Sequence, residues 1–313
     1  MILTAAPFYA DICPVGDTAI AYWAITSDEK RIRLAVWARD AVRGTVLLFP
    51  GRTEYVEKYA ASAVDLEQRG YCTIAVDWRG QGLADRLVKD PMVGHVDRFE
   101  DYQLDVAAMV AAANELDLPK PFYLIGHSMG GAIGLRALME NLPVKAAAFS
   151  APMWGIHLAP HMRPLAWALG HLMPMLGHGD KILPGTTLDS YVLTAPFEDN
   201  TLTTDQPMFG MMTDQVNKYA ALGLGGPSYT WLRESLSETS ALAAKPAPDT
   251  PTITFLGTNE RIVRTQSIHK RMRTWGNGTL RMVEGAEHEV LMEKPETRKD
   301  AFDQIAELFA AHT

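Results

Sequence analysis

Apolar residues fall along this chain in two alternating patterns. Short runs that are apolar at nearly every position lie at 31–37, 46–50, 73–77, 122–126, 146–150, 252–257 and 280–284. Between them, residues 57–68, 99–115, 128–140, 263–275 and 296–312 carry apolar side chains at helical spacing. Runs without a polar face suit strands covered on both sides, and the regular strand–helix alternation predicts an α/β fold with a mostly parallel central sheet flanked by helices.

The rhythm breaks at 152–245. That stretch is rich in Pro and Gly, holds about half of the chain's Met residues, and contains Trp154, Trp167 and Trp231. It reads as a helical insertion lying over the sheet, within one domain spanning 1–313. Residues 243–251 (AAKPAPDTP) then return the chain to the sheet as an extended linker. In the insertion, Met162, Leu165, Leu169, Leu172, Met173, Met175 and Leu176 are candidates for an adaptable apolar tunnel. Packing the insertion onto the core is their alternative role.

Composition narrows the function classes. The chain has 313 residues, 47% hydrophobic and 21% charged, so it can bury a full core without disulfides or metal. A formal charge of −8 and the lack of a Lys/Arg cluster argue against nucleic-acid binding and against firm docking on anionic membranes. Cys13 and Cys72 are far apart and fit no metal or redox spacing. The N-terminal residues lack the basic start and apolar core of a secretory signal, and no apolar stretch reaches membrane-spanning length. The expectation is a cytoplasmic protein acting on a small molecule.

The chemistry concentrates at Gly126-His127-Ser128-Met129-Gly130, placed after a run predicted to be a strand and before one predicted to be a helix. A sharp strand-to-helix turn presents the serine at its tip in a strained backbone conformation. The helix N-terminus beneath it favours a developing oxyanion. Ser128 is therefore the candidate nucleophile. The base should follow the last strand, which selects His288 from nine histidines, and the orienting acid should follow 252–257, where Glu260 is the only carboxylate in the loop. Asp is the usual residue at that place, and Glu can do the same work from a loop set slightly further back. His127 is expected to be structural. The backbone N–H groups of Arg52 and Met129 are the candidate oxyanion donors. The Arg52 side chain is expected to pair with Glu54 or another loop carboxylate, with contact to a substrate headgroup as the alternative. No metal or organic cofactor is expected, and His288-Glu289 does not continue into an H-E-x-x-H zinc motif.

These residues resemble the α/β-hydrolase superfamily, and within it the monoglyceride-lipase-like bacterial lysophospholipases, also catalogued as serine aminopeptidase-like hydrolases. The matching segments are 49–55 (FPGRTEY), 77–82 (DWRGQG), 94–99 (GHVDRF), 127–131 (HSMGG) and 285–289 (GAEHE), with 225–231 (GGPSYTW) a looser match. Many lipases of the group have His-Gly where this chain has Pro50-Gly51. The resemblance implies the α/β-hydrolase fold with a helical lid, the triad Ser128–Glu260–His288, and hydrolysis of a single-chain lipid ester through an acyl-enzyme. The expected substrate is a lysophospholipid. A monoacylglycerol or short ester, amide hydrolysis by an aminopeptidase, and acyl transfer to an alcohol remain as alternatives, although the H-x4-D acyltransferase signature is missing. Brief contact of the lid with lipid aggregates, and hence peripheral membrane association, is a further expectation.

Overall fold

A computed structural model describes residues 3–13 and 19–313. Nine strands form one sheet: β1 (Thr4–Ala5), β2 (Ile20–Ile25), β3 (Arg31–Trp37), β4 (Thr45–Phe49), β5 (Cys72–Asp77), β6 (Phe122–His127), β7 (Ala147–Ser150), β8 (Thr252–Gly257) and β9 (Gly278–Val283). Their order is β1-β2-β3-β5-β4-β6-β7-β8-β9. The pairs from β1 to β5 along that order are antiparallel, and those from β5 to β9 are parallel.

All seven runs read from the sequence form strands, within one or two residues of the expected ends. The exceptions are β1 and β2, which the apolar pattern does not single out. β2 is an antiparallel strand near the sheet edge, buried at Ala21 and Ala24 but exposed at Ile20 and Ile25. Its sequence is apolar throughout, so burial does not follow the usual in–out alternation.

The long helices outside the β7–β8 connection are α1 (Ala60–Glu67), α2 (Tyr102–Glu115), α3 (Ser128–Met139), α8 (Thr265–Met272) and α9 (Pro295–Ala310). The period of two in β6 distributes its side chains between two cores. Phe122 and Leu124 pack with α2, α3 and α8 on one face, while Tyr123 and Ile125 pack with α9 and Leu66 of α1 on the other. Both faces are thus covered, as parallel strands require.

Between β7 and β8 the chain runs through α4 (Arg163–Met175), α5 (Tyr191–Thr194), α6 (Gln206–Lys218) and α7 (Tyr229–Ala244). α4 lies on α7, where Gly170 allows close approach: a Cβ there would sit 3.3 Å from Arg233 Cα. α6 and α7 are capped at their N-termini by Asp205 and Ser228, whose side chains accept from the Met208 and Trp231 N–H groups.

Candidate active site

β6 ends at His127, and α3 begins at once with Ser128 at φ +49°. A non-glycine residue there is strained by about 1–3 kcal/mol and persists only where its surroundings impose it. Gly130 explains what imposes it here. A Cβ on Gly130 would lie 2.0 Å from the Phe49 carbonyl oxygen, so only glycine lets the first turn of α3 press against the end of β4. Gly51 meets the turn from the other side, and a Cβ there would be 3.0 Å from Ser128 Cβ. Ala151 (φ +41°) and Thr53 (φ +67°) are two further strained residues in adjoining loops.

Met129 lies in the first turn of α3, so its N–H has no intrahelical acceptor. Among the described residues, the Arg52 N–H also donates to none. Its loop is held from behind: Trp78 Nε1 donates to the Pro50 carbonyl at 2.9 Å, and Gln81 Nε2 to the carbonyls of Gly51 and Glu54 at 2.8 and 3.0 Å. The segment 77–82 thus braces the 50–54 loop through Trp78 and Gln81.

His288 follows β9 and Glu260 follows β8. Glu260 Oε2 is 2.7 Å from His288 Nδ1, while its Oε1 accepts the backbone N–H groups of Ile262 and Val263 at 2.6 and 2.9 Å. Burial would raise the Glu260 carboxyl, but the nearby imidazole and these hydrogen bonds outweigh it and hold the group below its ordinary value. A carboxylate on Nδ1 fixes that nitrogen as the proton carrier, leaving Nε2 as the basic nitrogen. The β7–β8 connection clamps the same loop, because His288 and Glu289 donate their N–H groups to the carbonyls of Thr201 and Leu202. Ser128 and His288 both line one cavity of about 520 Å³. No hydrogen bond joins the Ser128 hydroxyl to His288 in this arrangement.

Beneath them lies a buried charge cluster that the sequence reading did not assemble. Lys58 Nζ is 2.5 Å from both Glu54 Oε1 and Glu289 Oε1, and Tyr59 donates to Glu54 Oε2 at 2.5 Å. His127 Nδ1 lies 3.1 Å from the Ser150 carbonyl, and its Nε2 is 3.5 Å from Glu289, with its ring 4.7 Å from that of His288. Burial pulls against every charge here. Even so, Lys58 and His127 hold Glu289 well below the usual carboxylate range, and Glu289 and Glu54 raise His127. Glu54, His127 and Glu289 come close enough together to suggest a metal site, but the Lys58 ammonium already supplies the positive charge between the carboxylates. The Glu54–Lys58 spacing of four was the available sequence signal.

Two expectations are corrected. The Arg52 side chain does not pair with Glu54, which is occupied by the Gly51 N–H, Lys58 and Tyr59. Arg52 turns the other way, donating to the Gly225 carbonyl and lying 5.3 Å from the Trp231 ring. The apolar tunnel residues assigned to α4 do not line the cavity either. Met162, Leu165, Leu172, Met175 and Leu176 are exposed, because the inward face of α4 is taken up by α7. The apolar lining comes instead from residues such as Met153, Ile156, Val192, Met212, Leu224 and Trp231. His95 behaves as a local partner, 2.8 Å from Ser228 Oγ and 3.2 Å from Asp97.

The family described as "Serine aminopeptidase, S33" matches residues 40–295. The chain belongs to it. Lysophospholipase L2 of Escherichia coli K12 is 34% identical over 281 residues, covering 85% of this chain and 80% of that protein. A probable lysophospholipase L2 of Haemophilus influenzae is 28% identical over 89% of each chain. Among solved structures, a soluble variant of Saccharomyces cerevisiae monoglyceride lipase superposes with a TM-score of 0.72 at 19% identity, covering 93% of this chain and 94% of that one. A thermostable carboxyl esterase from Bacillus coagulans gives 0.70 at 13% identity, covering 95% and 99%. The fold is that of the α/β hydrolases.

Proposed function

We propose that this α/β hydrolase, a carboxylic-ester hydrolase, cleaves the acyl ester of a single-chain lipid, most favourably a lysophospholipid, through an acyl-enzyme on Ser128. The observation that carries the reading is Ser128 held at a strained strand–helix turn and sharing one apolar cavity with the Glu260-bound His288. In this mechanism, His288 Nε2 takes the Ser128 proton as the hydroxyl attacks the ester carbonyl. The N–H groups of Arg52 and Met129 hold the tetrahedral oxyanion, each contributing roughly 3 kcal/mol to transition-state stabilisation. His288 then protonates the leaving alcohol, and water releases the fatty acid by the same steps reversed.

The mostly apolar lining supports an acyl chain as ligand, and the 34% identity to Escherichia coli lysophospholipase L2 supports a phospholipid headgroup. Support for an aminopeptidase is weaker. Of the three carboxylates lining the cavity among the described residues, Glu54 and Glu289 are engaged by Lys58, and only the exposed Asp189 is left to meet a substrate amine. The apolar face of α4 would serve as a lid surface for brief contact with lipid aggregates. No helix among the described residues is long and apolar enough to cross a membrane.

The test is turnover of lysophosphatidylcholine, monoacylglycerol and a short p-nitrophenyl ester, with the lipids taken through their aggregation threshold. Preference for the lysophospholipid, with a rate that climbs as aggregates form, supports the reading. Turnover of the short ester alone would remove the lipid assignment. In the same assay Glu260→Gln lowers kcat by about 10³–10⁴, because an amide permits the wrong imidazole tautomer and cannot stabilise the imidazolium. Unchanged kcat would place the orienting acid elsewhere.

A further inference from the structure

Arg52 carries a charge that no carboxylate among the described residues answers. Its Nη2 donates to the Gly225 carbonyl, and its buried Nε has no hydrogen-bond partner. No salt bridge to Arg52 is present among the described residues, whereas the neighbouring buried cations Lys58, Arg33 and Arg79 each hold two carboxylates. The head is wedged between Gly94, where a Cβ would lie 2.7 Å from Nη2, and the ring of Trp231. Desolvation with no carboxylate to offset it pulls the guanidinium down to about 10, leaving it cationic at neutral pH. A desolvated guanidinium without an anion is costly, and its planar fork matches phosphate. The side chain lines the cavity beside Ser128, together with Gly225, Gly226 and Trp231.

We infer that the Arg52 guanidinium is the subsite for the phosphate of a phosphodiester headgroup, so that one residue serves both ends of the leaving half of the substrate. Its backbone N–H, the candidate oxyanion donor, has no acceptor among the described residues, and its side chain reaches away by four bonds from Cα to Nε. In a lysophospholipid, the glycerol carbons and one oxygen separate ester from phosphorus by a chain of similar reach. The inference rests on the lysophospholipid reading and names the residue that distinguishes that substrate from a monoacylglycerol, which has no phosphate. It also explains why Arg52 is not paired with Glu54: an internal carboxylate would neutralise the group that has to bind the headgroup.

The experiment compares wild type with Arg52→Met and Arg52→Lys, all of which retain the backbone N–H. Kinetics on palmitoyl lysophosphatidylcholine and monopalmitoylglycerol are measured in one detergent. The ratio of kcat/KM values, lysophospholipid over monoacylglycerol, falls at least about tenfold in Arg52→Met, mainly through KM, with partial recovery in Arg52→Lys. A structural pin between Gly94 and the β7–β8 connection would depress both substrates alike, and an unchanged ratio overturns the inference.

A second arm is independent of the acyl substrate. Glycerophosphocholine and inorganic phosphate are tested as inhibitors of short-ester hydrolysis. Competitive inhibition by the diester in wild type, lost in Arg52→Met, supports the subsite even if lysophospholipid turnover fails. Inhibition by inorganic phosphate alone, or by neither probe, overturns it.

Discussion

Replacing Ser128 with Ala lowers kcat for every ester substrate by about 10⁴–10⁶, with KM little changed. The argument is chemical and local. The substitution removes the only hydroxyl at the strand–helix turn, while His288, Glu260 and the two candidate oxyanion N–H groups stay in place. The residual activity is what positioning and the oxyanion donors achieve without a nucleophile. Because the Ser128 hydroxyl makes no hydrogen bond to another described group, and alanine bears the same φ of +49° at similar cost, thermal unfolding shifts little. Loss of activity together with a large fall in Tm would indicate a structural residue instead. Retention of kcat would remove Ser128 from the mechanism.

Lys58→Met has the largest expected effect on stability, about 3–5 kcal/mol at neutral pH, because it leaves two buried carboxylates facing each other without their cation. The pH dependence follows from the shifts. In wild type, Glu289 is held below its unfolded value, so its contribution is present above that value and is lost as pH falls through the folded one. Without Lys58, the Glu289 carboxyl loses the largest of the attractions that offset its burial, its folded value rises, and the variant loses stability relative to wild type as pH rises. The gap between wild type and variant therefore narrows toward about pH 5 and widens toward pH 8. Urea denaturation at those two pH values measures it. A pH-independent gap would mean that packing of the lysine stem, rather than charge, is what the substitution removes.

Strands buried on both faces announce themselves by composition, which is why β4 to β8 were legible; β9, a half-exposed edge strand, was read from its apolar residues, whereas β2, apolar at every position, and the two-residue β1 were passed over. The candidate site residues at strand ends could be named for a related reason. Ser128, Glu260 and His288 each follow a recognisable run, and the fold requires its functional groups there. What the sequence hides is partner choice among charges. Glu54 stands two residues from Arg52 and four from Lys58, and local spacing does not tell that the backbone turn at Thr53, with φ +67°, accompanies Glu54 facing Lys58 while Arg52 faces Trp231. Glu289 reaches Lys58 from 231 residues away, a pairing that only the tertiary fold creates. The α4 residues failed for a similar reason. A helix rich in Met and Leu fits a tunnel or an outer face equally well, and the contact with α7 decides which.

The most direct test is the intact mass and peptide map of the full-length protein after brief treatment with a long-chain alkyl phosphonate ester, with and without excess lysophosphatidylcholine. The account predicts one phosphonyl group per chain, attached to the peptide carrying Ser128, with labelling suppressed by the lysophospholipid. A label on another residue, or no label in a preparation that hydrolyses esters, would contradict it.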